Sequence, residues 1–81
     1  MERKLTKAEF KAIRLVLSFT QPDFAELLGI SVAHVSRTEE VNSKHQYAVS
    51  KRLDETVKET LERLYLDLED ILEIAKRRGI L

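Results

Sequence analysis

Apolar side chains recur every three or four residues along most of this chain, with polar and charged residues between them. This spacing gathers the apolar residues on one face of a helix, because a helix completes a turn in about 3.6 residues. The strict alternation typical of strands does not occur. The pattern therefore predicts an all-α chain that folds as a small helical bundle.

The first predicted helix runs from about Lys7 to Ser18. Thr6 and Glu9 have the spacing of a capping box, in which the threonine hydroxyl accepts from the Glu9 backbone N–H and the carboxylate accepts from the Thr6 N–H. Apolar residues at helical spacing follow this box, so the helix should bury one face.

A second and a third helix are predicted on either side of a tight turn. Thr20 caps the second helix, and Pro22 lies in its first turn, where a missing N–H is tolerated. Gly29 ends this helix, since a left-handed residue at a helix end suits glycine best. Ser31 caps the third helix, and Val35 is its most clearly inward position.

Two helices joined by so short a turn must approach each other closely. Ala25 permits this approach, because a larger side chain there would push the third helix away. Positions one, two, five and six of the third helix then share an outward face. The residues at those positions are Val32, Ala33, Ser36 and Arg37.

Eight positions within residues 21–39 resemble the sequence pattern of the phage Cro/C1-type helix-turn-helix repressors. The resemblance implies a lambda-repressor-like bundle whose third helix enters the DNA major groove. Two departures from the pattern lie at the end of this helix: Thr38 replaces a large apolar residue, and Glu40-Val41 replaces an Asn-Gly or Arg-Gly pair. The matching residues are Gln21, Ala25, Gly29, Ile30, Ser31, Val35, Ser36 and Glu39.

The resemblance also implies roles for individual residues on DNA. Val32 and Ala33 face the bases and can contact thymine methyl groups, and Ser36 can bond to any base. Arg37 matches the O6 and N7 acceptors of guanine, a pairing that gives about 1–3 kcal/mol of discrimination. The residues expected at DNA phosphates are Gln21, Ser31, His34, Ser43 and Lys44.

Other interpretations of these residues remain open. Arg37 could be a solvated arginine paired with Glu39 or Glu40, and Gln21 could be only a surface residue at a helix start. Glu39 is predicted to be structural, because a carboxylate facing phosphates would repel them. His34 and His45 lack the spacing of a zinc site, so we expect no metal and no cofactor.

The C-terminal half is predicted to be helical as well. A capping box over Ser43-Lys44-His45-Gln46 suggests a fourth helix, and Asp54 or Thr56 could restart a fifth that runs to Arg78, with Gly79 as the stop. Whether these are two helices or one bent helix is left open. We expect residues 1–53 to form the helix-turn-helix domain and residues 54–81 a long amphipathic dimerisation helix.

A heptad seam along the last helix carries the dimer prediction. Its apolar residues follow steps of four and three, as in a coiled coil. A two-fold dimer would set two recognition helices about 34 Å apart, one DNA turn, over a palindromic site. The alternative is that the helix folds back to complete the core of the monomer. The seam consists of Val57, Leu61, Leu64, Leu68, Ile71 and Ala75.

Composition and charge limit the classes of protein to which this chain could belong. The 81 residues suffice for one modest core, and the net charge is zero, but residues 1–52 carry +3 and residues 53–81 carry −3. The chain has no cysteine, no apolar run near the ~20 residues that span a bilayer, and no leader-like N-terminus. We therefore expect a cytoplasmic protein that is not membrane-bound. No nucleophile with a matched base and no phosphate-binding glycine loop is found, so an enzyme is not expected.

The sequence thus favours a sequence-specific DNA-binding regulator. Its expected partners are double-stranded DNA and a second copy of the chain, and its expected action is repression by occluding a promoter at a palindromic operator. The alternative is an antitoxin-like or adaptor protein whose C-terminal helix binds another protein.

Overall fold

The computed structural model describes residues 3–40 and 48–81, and within them it contains five helices and no strand. An isolated bridge joins Thr6 to Ala48. Helix α1 packs against α3 and α5, while α2 packs against α3 and α4. The helices are α1 Lys7–Val16, α2 Gln21–Leu28, α3 Val32–Glu39, α4 Lys51–Arg63 and α5 Leu68–Arg77.

The predicted caps of the first three helices are confirmed. The Thr6 hydroxyl accepts from the Glu9 N–H at 3.0 Å, and the Glu9 carboxylate accepts from the Thr6 N–H at 2.9 Å. Thr20 and Ser31 cap α2 and α3 in the same way, each through its side-chain oxygen. These caps satisfy N–H groups that have no partner within the helix, so each helix start is set locally.

The prediction of a single helix from about residue 54 or 56 to Arg78 is wrong. Helix α4 begins at Lys51 with Ser50 as its cap and ends at Arg63, and four residues separate it from the start of α5 at Leu68. Tyr65 between them has a φ of 58°, and the Leu66 N–H donates to Leu61 O at 2.9 Å. This left-handed closure reverses the chain and separates the two helices.

The predicted start of the fourth helix is also displaced. Val49 precedes α4, and its N–H donates to Leu5 O at 2.9 Å. The proposed capping box over residues 43–46 lies outside the described residues. Ser50 supplies the cap instead, since its hydroxyl accepts from the Leu53 N–H at 3.2 Å.

One hydrophobic core unites both halves of the chain. Phe10 and Phe24 meet near its centre with ring centroids 5.1 Å apart. The boundary expected at residue 53/54 falls inside α4, and residues on both sides of it are buried together. Within the described residues no helix is long and apolar enough to cross a membrane.

Most residues of the predicted dimer seam are buried in this core. Val57, Leu61, Ile71 and Ala75 are each no more than 4% exposed, and they pack inside one chain. The seam is therefore not the continuous surface expected from the sequence, because it is broken at Tyr65 and four of its six residues are buried within the chain. Pairing with a second copy of the chain stays a prediction. The alternative, in which this part of the chain completes the monomer core, accounts for those four. Leu64 remains exposed at 42% and Leu68 is half-buried.

Residues 3–6 precede α1 and contact α4. The Leu5 N–H donates to the buried Asp54 carboxylate at 2.8 Å. Lys58 bonds the Arg3 carbonyl at 2.9 Å and pairs with Asp54 at 3.1 Å. These contacts hold the beginning of α4 beside the beginning of α1, which places both near α3.

Candidate nucleic-acid interface

The turn between α2 and α3 is built around Gly29. Its φ of 72° reverses the chain, and the Ile30 N–H then donates to Ala25 O at 3.0 Å. Ala25 is 2% exposed and Val35 is fully buried, so small and β-branched side chains fill the space between the two helices. The separate helices and the turn expected from the sequence are therefore present.

The outward face of α3 carries the residues predicted to read bases. Val32, Ala33 and Arg37 are exposed, and Ser36 is half-buried. Arg37 donates from Nε to the Ala33 carbonyl at 3.4 Å along its own helix, and among the described residues it forms no ion pair. The alternative pairing of Arg37 with Glu39 or Glu40 is therefore not found. The base-reading roles themselves remain predictions.

A buried polar network fixes the end of α3. Arg14 of α1 donates to the two carboxylate oxygens of Glu39 at 2.6 and 3.0 Å, and it also donates to the Phe19 carbonyl at 2.9 Å. Gln21, the first residue of α2, donates from Nε2 to Glu39 at 2.9 Å. Because one carboxylate receives donors from two other helices, the ends of α1, α2 and α3 are held in one arrangement.

This network clarifies three sequence interpretations. Glu39 is structural, as predicted. Gln21 braces α3, so it is more than a surface residue at a helix start, and its contact with a DNA phosphate remains a prediction. Arg14 was not singled out from the sequence, although its position beside Ile13, at the border of the apolar face of α1, could have drawn attention to it.

Thr38 is accommodated without an apolar partner. It is 7% exposed, and its hydroxyl donates to the His34 carbonyl one turn earlier at 2.7 Å. A buried hydroxyl with a hydrogen-bond partner is tolerated at little net cost. The departure from the repressor pattern at this position therefore leaves α3 helical.

A cleft of about 430 Å³ runs between α3 and the start of α4. It holds lysine, arginine and histidine side chains from α1 and α3, and none of the described residues that line it carries a carboxylate. Two other surface clefts each include carboxylates, from Glu69 in one and from Asp54 in the other. The residues lining the acid-free cleft are Lys7, Ser31, His34, Arg37, Thr38, Ala48, Val49, Ser50 and Leu53.

This cleft adds residues that sequence reasoning missed. Lys7 begins α1 and Ser50 caps α4, and both lie beside Ser31, the cap of α3. Helix starts carry partial positive charge, so the cleft combines three such ends with the charges of Lys7 and Arg37. The sequence signal was the +3 charge of residues 1–52, but only the fold brings these distant residues together. Ser43 and Lys44, predicted at phosphates, lie outside the described residues.

An ion pair at the start of α1 lies apart from this cleft. Arg3 donates to the Glu9 carboxylate at 2.7 and 2.5 Å. The hydrogen bonds from Arg3, together with those from Thr6, lower the pKa of the Glu9 carboxyl against the opposing effect of burial. The bonds to the Glu9 carboxylate also raise the pKa of the Arg3 guanidinium. Glu9 thus stabilises the capping box as a carboxylate.

Comparison of the chain with protein-family models, with curated proteins and with solved structures gives no match. Residues 3–40 and 48–81 contain no group of three or more histidine, cysteine, aspartate or glutamate side chains placed to hold a metal ion.

Proposed function

We propose that this chain is a sequence-specific regulator that binds double-stranded DNA, with a lambda-repressor-like arrangement of the Cro/C1 type. In this proposal α3 is the recognition helix, and it enters the major groove through the face formed by Val32, Ala33, Ser36 and Arg37. The regulator acts as a dimeric repressor, and it blocks transcription by covering a promoter at a palindromic operator.

The observation that carries the proposal is that α3 is fixed at its end and exposed along its outer face. Its last residue, Glu39, is bound by Arg14 and Gln21, while Val32 at its first turn is 44% exposed. A short helix that is braced at one end and bare on its outer face is what major-groove recognition requires. The acid-free cleft beside it suits the phosphate backbone, which attracts cations.

A surface at the turn between α4 and α5 supports the dimer. Leu64 is 42% exposed and Tyr65 is 96% exposed, so two large apolar side chains are adjacent and uncovered. Such a pair favours contact with another polypeptide. A second copy is the occupant we propose, and a different partner protein, as in an antitoxin-like or adaptor role, is the competing candidate for the same surface.

Selection of bound duplexes from a random oligonucleotide pool tests the proposal. We expect a palindromic consensus with half-site centres about one DNA turn apart. Arg37→Ala should relax the preference at one base pair in each half-site, at a cost of about 1–3 kcal/mol. Arg78→Ala removes another exposed arginine, the residue that caps the end of α5, and serves as the matched control. Recovery of no enriched sequence would rule out the proposed function.

A further inference from the structure

One arginine of α3 belongs both to the outer face of the helix and to the acid-free cleft. Arg37 is exposed on the outer face, and it lines the cleft together with Lys7. It donates from Nε to the Ala33 carbonyl at 3.4 Å, which is long for a hydrogen bond, and among the described residues it forms no ion pair. The guanidinium can therefore turn to an acceptor in a DNA groove or to one in the cleft.

The cleft offers positive charge and hydrogen-bond donors to a molecule that enters it. Lys7 and Arg37 supply the charge, and none of the described lining residues supplies a carboxylate. The hydroxyls of Ser31 and Ser50 accept from backbone N–H groups at 3.0 and 3.2 Å, and a serine that accepts in this way still has its own hydrogen to donate. This combination favours an anion that carries several acceptor oxygens.

The cleft is also large enough for more than one phosphate group, and part of its lining is apolar. Its volume of about 430 Å³ lies within the range of small-molecule sites, about 300–1,000 Å³. Ala48, Val49 and Leu53 line it beside Ser50. The body of a small ligand can pack against these side chains while its anionic group lies near Lys7 and Arg37.

We propose that the acid-free cleft binds a small phosphomonoester, and that this ligand competes with DNA for Lys7 and Arg37. A terminal phosphate carries a charge of about −1.5 to −2 at pH 7, whereas each phosphodiester of DNA carries a single negative charge. Two cations in one cleft therefore favour the monoester over one diester of the DNA backbone. The competition rests on the proposed function, whereas binding of the phosphomonoester to the chain alone does not.

Titration of the chain without DNA, followed through its backbone amide NMR signals, tests the ligand site. Inorganic phosphate and adenosine monophosphate should each shift the amide signals of Ser31, His34 and Ser50. Adenosine, and sodium chloride at the same ionic strength, should leave these signals in place. Cyclic adenosine monophosphate has the same base and sugar but a diester with one charge, so it should bind about tenfold more weakly than adenosine monophosphate.

Protein variants assign the binding to the two cations of the cleft. Lys7→Gln and Arg37→Gln should each weaken the binding of adenosine monophosphate about fivefold, because each removes one positive charge beside the phosphate. Lys11→Gln and Arg78→Gln are the matched controls, since both remove an exposed cation that does not line the cleft. Equal affinity in all four variants would place the phosphate elsewhere and overturn the proposed site.

Fluorescence anisotropy on the selected operator, at constant ionic strength, tests the competition. Adenosine monophosphate at ten times its dissociation constant should weaken operator binding about elevenfold for each bound chain, and adenosine should not weaken it. Operator binding that is unchanged while the cleft signals are shifted overturns the competition.

The outcomes separate this inference from the proposed function. If the operator binds tightly but neither inorganic phosphate nor adenosine monophosphate shifts the cleft signals, the ligand site is wrong and DNA recognition stands. If adenosine monophosphate shifts those signals but no duplex is selected, the proposed function is wrong and the ligand site stands.

Discussion

Arg14 of α1 and Glu39 at the end of α3 form a two-bond ion pair whose side chains are only 12% and 4% exposed. Both charges are removed from water, and each depends on the other for compensation. Gln21 completes the site by donating to the same carboxylate. The orientation of α3 therefore depends on this one buried ion pair.

Truncation of either partner should destabilise the fold strongly. We expect Arg14→Met to lower the free energy of unfolding by about 3–5 kcal/mol, because it leaves the Glu39 carboxylate buried without its main partner. Replacing both residues with methionine should recover much of this loss. Urea denaturation measures these differences. Arg77→Met, which breaks an exposed pair with Glu73, is the control and should change stability by less than about 1 kcal/mol. If Arg14→Met and Arg77→Met lost similar amounts of stability, the buried Arg14–Glu39 pair would not have the stabilising role assigned to it.

Replacement of Gly29 by a larger residue should strain the backbone without causing a steric clash. A Cβ at this position meets no atom within 4 Å, but the φ of 72° is one that alanine rarely adopts. Gly29→Ala should therefore lower the free energy of unfolding by about 1–2 kcal/mol through backbone strain alone. Gly29→Asn should lose less, since asparagine tolerates the left-handed region better. Thermal unfolding of the two variants compares them, and equal stability of Gly29→Ala and the wild type would refute the strain argument.

The Arg3–Glu9 pair predicts a pH dependence of stability. Hydrogen bonds from Arg3 lower the pKa of Glu9 below its ordinary value of 4.5. A depressed carboxyl pKa stabilises the folded state above the unfolded pKa, and this contribution is lost as the pH falls through the folded pKa. The difference in unfolding free energy between wild type and Glu9→Gln should therefore be largest near neutral pH and shrink below about pH 4.5. Arg3→Gln should show the same trend, and a difference that grows with acid would contradict it.

Lys7 in the acid-free cleft predicts a change in the salt dependence of DNA binding. A lysine that neutralises a phosphate contributes about 0.9 to the slope of log affinity against log salt concentration. Lys7→Gln should reduce that slope by about 0.9 for each bound chain, as measured by fluorescence anisotropy on the selected operator. Lys11→Gln removes an exposed lysine from the same helix and is the matched control. Equal slopes in the two variants would place the phosphate backbone elsewhere.

We expect the dimer to form through Leu64 and Tyr65, the exposed pair at the turn between α4 and α5. Leu64→Asp combined with Tyr65→Gly should yield monomers, because it removes both bare apolar side chains. The glycine relieves the positive φ of 58° at position 65, so the fold should be preserved. Analytical ultracentrifugation measures the mass, and circular dichroism checks the helices. A wild-type chain that is monomeric at all concentrations would instead favour a different partner protein at this surface.

Local signals account for what could be predicted. The helix caps and the left-handed turn each depend on residues within a few positions of each other, so they can be predicted without the tertiary structure. These features are the caps at Thr6, Thr20 and Ser31 and the turn at Gly29. The exposed face of α3 followed from helical spacing alone. The apolar pattern also marked Val57 and Ile71 as buried residues in a helix, although it could not say which chain would bury them.

What the amino-acid sequence determined by itself is the set of helix starts, the tight turn before α3 and the chemistry of the α3 surface, because each depends on neighbours along the chain. The tertiary structure decided the rest. The break at Tyr65 carries no glycine or proline signal and occurs where Leu66 packs against the shared core. The Arg14–Glu39 pair and the cleft at Lys7 join residues far apart in sequence, and only the packing of the helices brings their charges together.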